Sequence, residues 1–417
     1  MPASPETLRI AILTYRGNPH CGGQGVYVRH LSKALAGLGH SVEVLSGQPY
    51  PELDAERGVR LTRLPSLDLY RPEEPFKAAR GLRDSIDVLE FATMCASGFP
   101  EPLTFSLRAL RELSRRRAEF DVVHDNQCLG YGLLGLRRAR LPVLATVHHP
   151  IQIDRRLDLA EATGTRRLTL RRWYSFTRMQ ARVARRLPRL LTVSDAARDQ
   201  IAREMRVAPD RIAVVPNGVD TSIFRPMPGR QRRPGRIIAT ASADVPLKGL
   251  APLLRAFAQV CARQSAELVV VGKPRPNGPT SRLLGDLGLN GSVRFVSGVP
   301  ERDLVSLYAE AEAAVVPSLY EGFSLPAVEA MACGLPLLAT TAGALPEVVG
   351  ADGEAALLVP PGDVSALARG IVTLLGDDSL RRRLGDRGRS RVLERFTWAA
   401  AARGTADCYR EVMAAAC

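Results

Sequence analysis

Short apolar runs alternate with helical patterns from one end of this chain to the other. That alternation excludes most fold classes. In the first half, Leu8–Leu13, Ser41–Leu45, Asp121–His124 and Val143–Val147 read as strands, with helical patterns such as Val26–Ala36 and Ala109–Glu119 between them. In the second half, Arg236–Ala241, Glu267–Val271, Val293–Val296, Ala313–Val316, Leu337–Thr340 and Ala355–Val359 are strand-like. Strands separated by helices pair in parallel, and a parallel sheet needs helices on both faces to bury it. The expected class is α/β, with two doubly wound parallel-sheet domains. Ligands of such folds bind outside the carboxyl ends of the strands, so the loops after the strands carry the chemistry.

A chain of 417 residues is long enough for two ordinary domains. The Pro/Gly/Arg stretch Met227–Gly235, just before a new strand, marks the expected break. This gives domains 1–226 and 227–395, with a helical segment 396–417 at the end. No apolar run approaches membrane-spanning length and the first residues lack a signal-peptide pattern, so a cytoplasmic protein is expected. Seven scattered cysteines with no C-x-x-C pair argue against a disulfide framework and a zinc site. The net charge of +14 biases the chain toward polyanions or anionic surfaces. Nucleic acid is not the expected partner. Aromatics are only 5% of residues, too few for a base-stacking platform, and no zinc finger or RNA-recognition motif occurs.

One run stands out chemically: Pro317-Ser-Leu-Tyr-Glu321-Gly-Phe-Ser-Leu-Pro-Ala-Val-Glu329-Ala-Met-Ala-Cys-Gly334. Glu321 follows a buried strand. Gly322 allows close backbone approach, Ser324 is a good N-cap, and Pro326 fits the first turn of a helix that carries Glu329. Free N–H groups and the helix dipole at that end favour an anion such as a diphosphate. Ionised carboxylates only accept hydrogen bonds, so they favour hydroxyl-rich partners on either side. A ligand with sugar, diphosphate and ribose in a row satisfies all three.

This run resembles the donor site of the retaining family-4 glycosyltransferases (glycosyl transferases group 1). The resemblance covers nearly the whole chain and is densest from Val214 to Val349. It implies the GT-B fold, in which two Rossmann-like domains face a cleft and a C-terminal helix crosses back to the first domain. It also implies retaining transfer of a sugar from a nucleoside diphosphate sugar to a hydroxyl of a lipid, glycan or small molecule. No cofactor or metal is implied, and no D-x-D run suggests a metal-held diphosphate. Other GT-B chemistry, such as sugar-nucleotide epimerisation, or donor binding without catalysis, are the alternatives.

The resemblance assigns roles residue by residue. His148, at the end of strand Val143–Val147, matches a histidine that contacts the donor sugar. Glu321 binds donor-sugar hydroxyls, and Glu329 binds the ribose. Lys248, one of only four lysines in the chain, faces the diphosphate with the N–H groups around Gly322 and Phe323. Ser324 and Leu325 complete that helix end, and Gly22 and Gly23 match a loop over the donor. Most relatives carry an arginine five or six residues before the lysine, where this chain has Ser242 and Ala243; either another cation replaces it, with Lys273 and Arg275 nearest, or diphosphate binding rests more on Lys248 and backbone. With no evident nucleophilic carboxylate, the implied mechanism is same-face displacement assisted by the leaving phosphate. Leu190–Val193 leading to Ser194, and Val214-Val-Pro-Asn217-Gly218, read as strand-and-turn landmarks near the cleft. The acceptor is left open, because it depends on loops such as Gln48–Asp54 and Met94–Glu101.

Residues 166–189 hold nine arginines and no acid, with Trp173, Phe176, Met179, Val183 and Leu187 at helical spacing. This is expected to be a basic amphipathic helix. It either packs its apolar stripe on the sheet or docks on an anionic membrane surface.

Overall fold

The computed structural model describes residues 7–17, 23–54, 58–70, 81–241 and 244–415. The chain divides into two compact units: Met1–Val193 with Ala197–Val215 and Ala401–Cys417, and Ser194–Ala196 with Pro216–Ala400. The main boundary at Val215–Pro216 precedes the Met227–Gly235 stretch.

The first unit is built on seven strands: β1 (Arg9–Thr14), β2 (Ser41–Ser46), β3 (Arg60–Arg63), β4 (Val122–Asn126), β5 (Val143–Thr146), β6 (Leu190–Thr192) and β7 (Ile212–Val214). Their order is β3-β2-β1-β4-β5-β6-β7 and every pairing is parallel. The second unit has six: β8 (Arg236–Thr240), β9 (Glu267–Val271), β10 (Val293–Val296), β11 (Ala313–Val316), β12 (Leu337–Thr340) and β13 (Ala356–Val359). Their order is β10-β9-β8-β11-β12-β13, again parallel. Strands such as β4, β5, β11 and β12 are buried at every position, as parallel strands covered on both faces must be. Each sheet reverses its winding direction once, between β1 and β4 in the first unit and between β8 and β11 in the second. Those switch points open the crevices where ligands of doubly wound sheets sit.

Several elements differ from the sequence reading. Strand β3, Arg-Leu-Thr-Arg, was not expected, because it is a short polar strand at the sheet edge with no fully buried residue. The helix expected at Ala109–Glu119 runs from Glu101 to Arg115, started by Pro102 in its first turn, and Arg117–Glu119 is a separate 3-10 turn. Glu101 is therefore not in a free loop. It is buried and pairs with Arg16 at 2.5 Å. Residues 166–189 do not form one amphipathic helix. Two helices, Gly164–Trp173 and Phe176–Ala184, meet at a turn around Tyr174 and Ser175. The first has too few apolar residues for a stripe and buries none. The second buries Phe176, Met179 and Val183 in the core. The turn expected at Asn217-Gly218 is absent, and neither residue has a positive φ. Gly218 is required for close approach, since a Cβ there would lie 2.2 Å from the Trp398 backbone nitrogen.

The last helix, Trp398–Ala414, returns the chain to the first unit. Tyr409 is fully buried there, and its hydroxyl lies 2.7 Å from His124 Nδ1.

Candidate functional site

In the second unit, the loops after β8 and β11 are pressed together at the switch point. After β8 the chain makes a 3-10 turn, Pro246–Lys248, and reverses at Gly249 with φ +66°. A Cβ at Gly249 would lie 1.9 Å from the Pro317 carbonyl, so only glycine fits. The Leu319 N–H donates to the Leu247 carbonyl at 2.8 Å and locks the two loops. This places Lys248 Nζ 2.9 Å from Glu321 Oε1. Ser318 Oγ donates to the same oxygen at 2.8 Å, and the Ser318 carbonyl accepts from Thr340 Oγ1 at 2.6 Å. The Glu321 backbone is fixed as well. Its carbonyl accepts from Ala344 N–H at 3.0 Å, and Gly343 sits so close that a Cβ would lie 2.1 Å from that oxygen. Glu321 is thus a buried carboxylate with Oε1 committed and Oε2 without a hydrogen-bond partner among the described residues.

The helix after Glu321 runs Leu325–Ala332, with Pro326 in its first turn. Ser324 precedes it but does not act as an N-cap. It adopts φ +81° and makes no side-chain cap hydrogen bond. An N-cap residue ordinarily has an extended backbone, which Ser324 does not adopt. Oγ is buried without a partner among the described residues. A buried hydroxyl left unpaired beside a helix N-terminus is where a ligand's polar atoms are expected. Phe323 packs edge-on against Phe396 with centroids 5.7 Å apart, so it offers backbone only.

Glu329, a turn into the helix, is half-buried. It accepts from the Tyr308 hydroxyl at 3.3 Å, and that hydroxyl lies 3.1 Å from Thr240 Oγ1 at the end of β8. Burial pushes the Glu329 carboxyl up to about 7, against the opposing pull of Tyr308. Glu321, Lys248, Gly322, Phe323, Ser324, Leu325 and Glu329 therefore share one strand-end crevice. Lys273 is exposed beyond β9, and among the described residues no hydrogen bond or ion pair ties it to this cluster. The sequence reading missed Asp244. It adopts φ +60° and accepts from Arg275 N–H at 2.7 Å and Thr280 N–H at 3.0 Å, tying the loop after β9 to that after β8. Its signal was an aspartate tolerant of a left-handed backbone in a strand-end loop. Ser242 and Ala243 lie outside the described residues.

In the first unit, His148 follows β5. Its Nε2 lies 2.8 Å from Asn126 Oδ1, and its ring stands edge-on to Tyr27 with centroids 4.5 Å apart. Burial lowers its pKa to about 4, so the ring is neutral at ordinary pH. His149 instead turns toward Asp154, with Nε2 3.1 Å from Oδ2. Gly23 opens the helix Gly23–Gly37, while Gly22 lies outside the described residues. Asn126 and Gln127 were also missed. Their signal was a polar run, His124-Asp-Asn-Gln127, buried at the end of an otherwise apolar strand. Among the described residues no group of three His, Cys, Asp or Glu side chains could hold a metal ion, and no helix is long and apolar enough to cross a membrane.

Solved structures share this architecture. Sucrose-phosphate synthase from Thermosynechococcus elongatus matches with a TM-score of 0.72 at 25% identity, covering 98% of this chain and 100% of that one. Anabaena HepE in complex with UDP-glucose matches in fold, with a TM-score of 0.70 at 18% identity over 97% and 100% of the two chains. Two parallel Rossmann-like sheets with these neighbours define a protein of the GT-B fold. The glycosyltransferase family 4 model matches residues 21–223, and the model for glycosyl transferases group 1 matches 229–391. The MMP alpha-(1->4)-mannosyltransferase of Mycolicibacterium hassiacum is 54% identical over 415 residues, covering 98% of this chain and all of that protein. The D-inositol 3-phosphate glycosyltransferase of Frankia alni is 31% identical over 427 residues, 96% of this chain and 97% of that one. This chain belongs to glycosyltransferase family 4, and it is a hexosyltransferase.

Proposed function

We propose that this protein is a retaining α-(1→4)-mannosyltransferase that moves mannose from a nucleoside diphosphate sugar to the 4-hydroxyl of a glycan acceptor. The observation that carries the reading is the strand-end cluster of Lys248, Glu321, Ser324 and Glu329 in a chain 54% identical, end to end, to a mannosyltransferase. Each group has a separate task. The free Oε2 of Glu321 accepts from a donor-sugar hydroxyl. Lys248 bridges Glu321 and the diphosphate. The unpaired Ser324 hydroxyl and the helix N-terminus take phosphate oxygens, with Gly322, Phe323 and Leu325 contributing backbone. Glu329 accepts from the ribose, and His148, Gly22 and Gly23 are assigned to the donor. Lys273 or Arg275 supplies any further cation for the diphosphate.

In the reaction, the acceptor oxygen forms a bond to the anomeric carbon as the bond from that carbon to the diphosphate oxygen breaks. The acceptor proton passes to the departing phosphate on the same face, which preserves the anomeric configuration. Negative charge grows on the diphosphate, and Lys248 with the helix N-terminus stabilises it there without a metal. The purified chain, given nucleoside diphosphate mannose and a mannoside acceptor, is expected to yield an α-(1→4)-linked product by NMR. Donor binding with neither transfer nor slow donor hydrolysis would instead indicate a binding protein.

A further inference from the structure

Two neighbouring side chains at the end of β4 grip His148 by its ring and its backbone. Asn126 is fully buried. Its Nδ2 donates to the Gln24 carbonyl at 3.3 Å, across the switch point between β1 and β4. A carbonyl only accepts, so the amide nitrogen must face Gln24 and Oδ1 must face His148, 2.8 Å from Nε2. Nε2 therefore carries the ring proton, and Nδ1 keeps its lone pair. Nδ1 has no hydrogen-bond partner among the described residues.

Gln127 holds the backbone beneath that ring. Its Oε1 accepts from His148 N–H at 2.6 Å and His149 N–H at 3.2 Å, and its Nε2 donates to the His149 carbonyl at 2.8 Å. Gln127 pays for this reach with a left-handed backbone, φ +56°, and Leu129 is left-handed too at +51°. Such strain persists only where the surroundings over-determine it. Here Gln180 Nε2 donates to the Gln127 and Cys128 carbonyls at 3.3 and 3.2 Å, and Asp125 Oδ2 accepts from Leu129 N–H at 2.9 Å. A loop needed only for connection would not hold two strained residues and three buried amide side chains around one histidine.

We propose that Asn126 and Gln127 are positioning residues for His148, and that the Nδ1 lone pair they present accepts a hydrogen bond from a hydroxyl of the bound sugar. The inference rests on the glycosyl-transfer reading above. It gives His148 a fixed tautomer and a defined partner, a hydroxyl donor and not a phosphate or another acceptor.

The test uses the full chain with 15N-labelled histidines, the His148 signals being assigned by a His148→Gln variant. The wild type is expected to show the Nε2–H tautomer. Asn126→Ala is expected to mix the tautomers and to lower kcat about tenfold or more. Asn126→Asp still accepts from Nε2–H, so it should keep the tautomer and recover part of the rate. Gln127→Gly relieves the left-handed strain but strips three hydrogen bonds from the His148-His149 backbone, so its thermal midpoint should fall and kcat with it, while the Nε2–H tautomer set by Asn126 is kept. An Nδ1–H tautomer in the wild type overturns the proposal, as does wild-type turnover in both Asn126→Ala and Gln127→Gly. The tautomer is read without substrate. A chain with the expected spectrum that transfers no sugar would therefore remove the parent reading, and the sugar hydroxyl with it. If Asn126→Ala does not fold, the wild-type spectrum and Gln127→Gly decide.

Discussion

Glu329 shows how one carboxylate serves stability and function in opposite directions. Burial raises its carboxyl from an ordinary 4.5 to about 7. The ionised form accepts from both ribose hydroxyls, whereas the protonated acid keeps only part of that capacity. Affinity is therefore expected to fall as pH drops below 7, by at most about tenfold per pH unit, and to level off above it. Titration calorimetry across pH 5.5 to 8.5 checks this, and a flat profile would remove Glu329 from the donor site. The sign for stability is opposite. Between 4.5 and 7 the folded protein holds a proton that the unfolded chain releases, so stability falls as pH rises through that window. Glu329→Gln removes the penalty. It should melt higher than wild type at pH 8, by on the order of 1–3 kcal/mol, with the difference shrinking toward pH 4, while losing donor affinity.

At the scale of elements, the loops after β8 and β11 are the most constrained part of the site. Gly249→Ala puts a Cβ against the Pro317 carbonyl at a left-handed position. It is expected to cost several kcal/mol and to separate Lys248 from Glu321, read as a lower melting temperature with a large loss of kcat/KM. Gly288→Ala is the control for left-handed strain alone, since nothing lies within 4 Å of its Cβ position. The helix Gly164–Trp173 is the other element with a checkable consequence. Arg166, Arg167, Arg171 and Arg172 are exposed, and so is Leu168 at 55%. Within residues 166–189, any docking on anionic lipid falls to this helix, because Phe176–Ala184 buries its apolar face in the core. Replacing the four arginines with glutamine should abolish co-sedimentation with anionic vesicles and leave transfer to a soluble acceptor intact. Retained binding would count against the helix.

Across the whole molecule, the last helix joins the two ends of the sequence within the first unit. Tyr409 and His124, far apart in the chain, meet at 2.7 Å in a fully buried pair, and His124 Nε2 is held by Thr146 Oγ1 at 2.6 Å. Burial drives the His124 pKa down to about 3, so the ring stays neutral and needs both partners. Tyr409→Phe leaves Nδ1 unpaired and is expected to destabilise the protein by about 1–3 kcal/mol. Calorimetry should show the loss.

The class of fold was legible in the sequence because buried parallel strands are apolar along their whole length. β9 to β12 were read with their observed bounds, whereas β3, a polar edge strand, left no such trace. The Glu321–Glu329 arrangement was legible because helix spacing and the place of a proline in a first turn are local. Ser324 and the basic segment were misread because a capping residue type and an apolar spacing do not by themselves fix the backbone. The Lys248–Glu321 contact, the grip of Asn126 and Gln127 on His148 and the Tyr409–His124 pair join residues many positions apart. Local periodicity fixes which strands and helices form and which residues reach the strand ends. Only packing decides which of those residues touch, which oxygen stays free, and which carboxyl or imidazole is moved from its ordinary pKa.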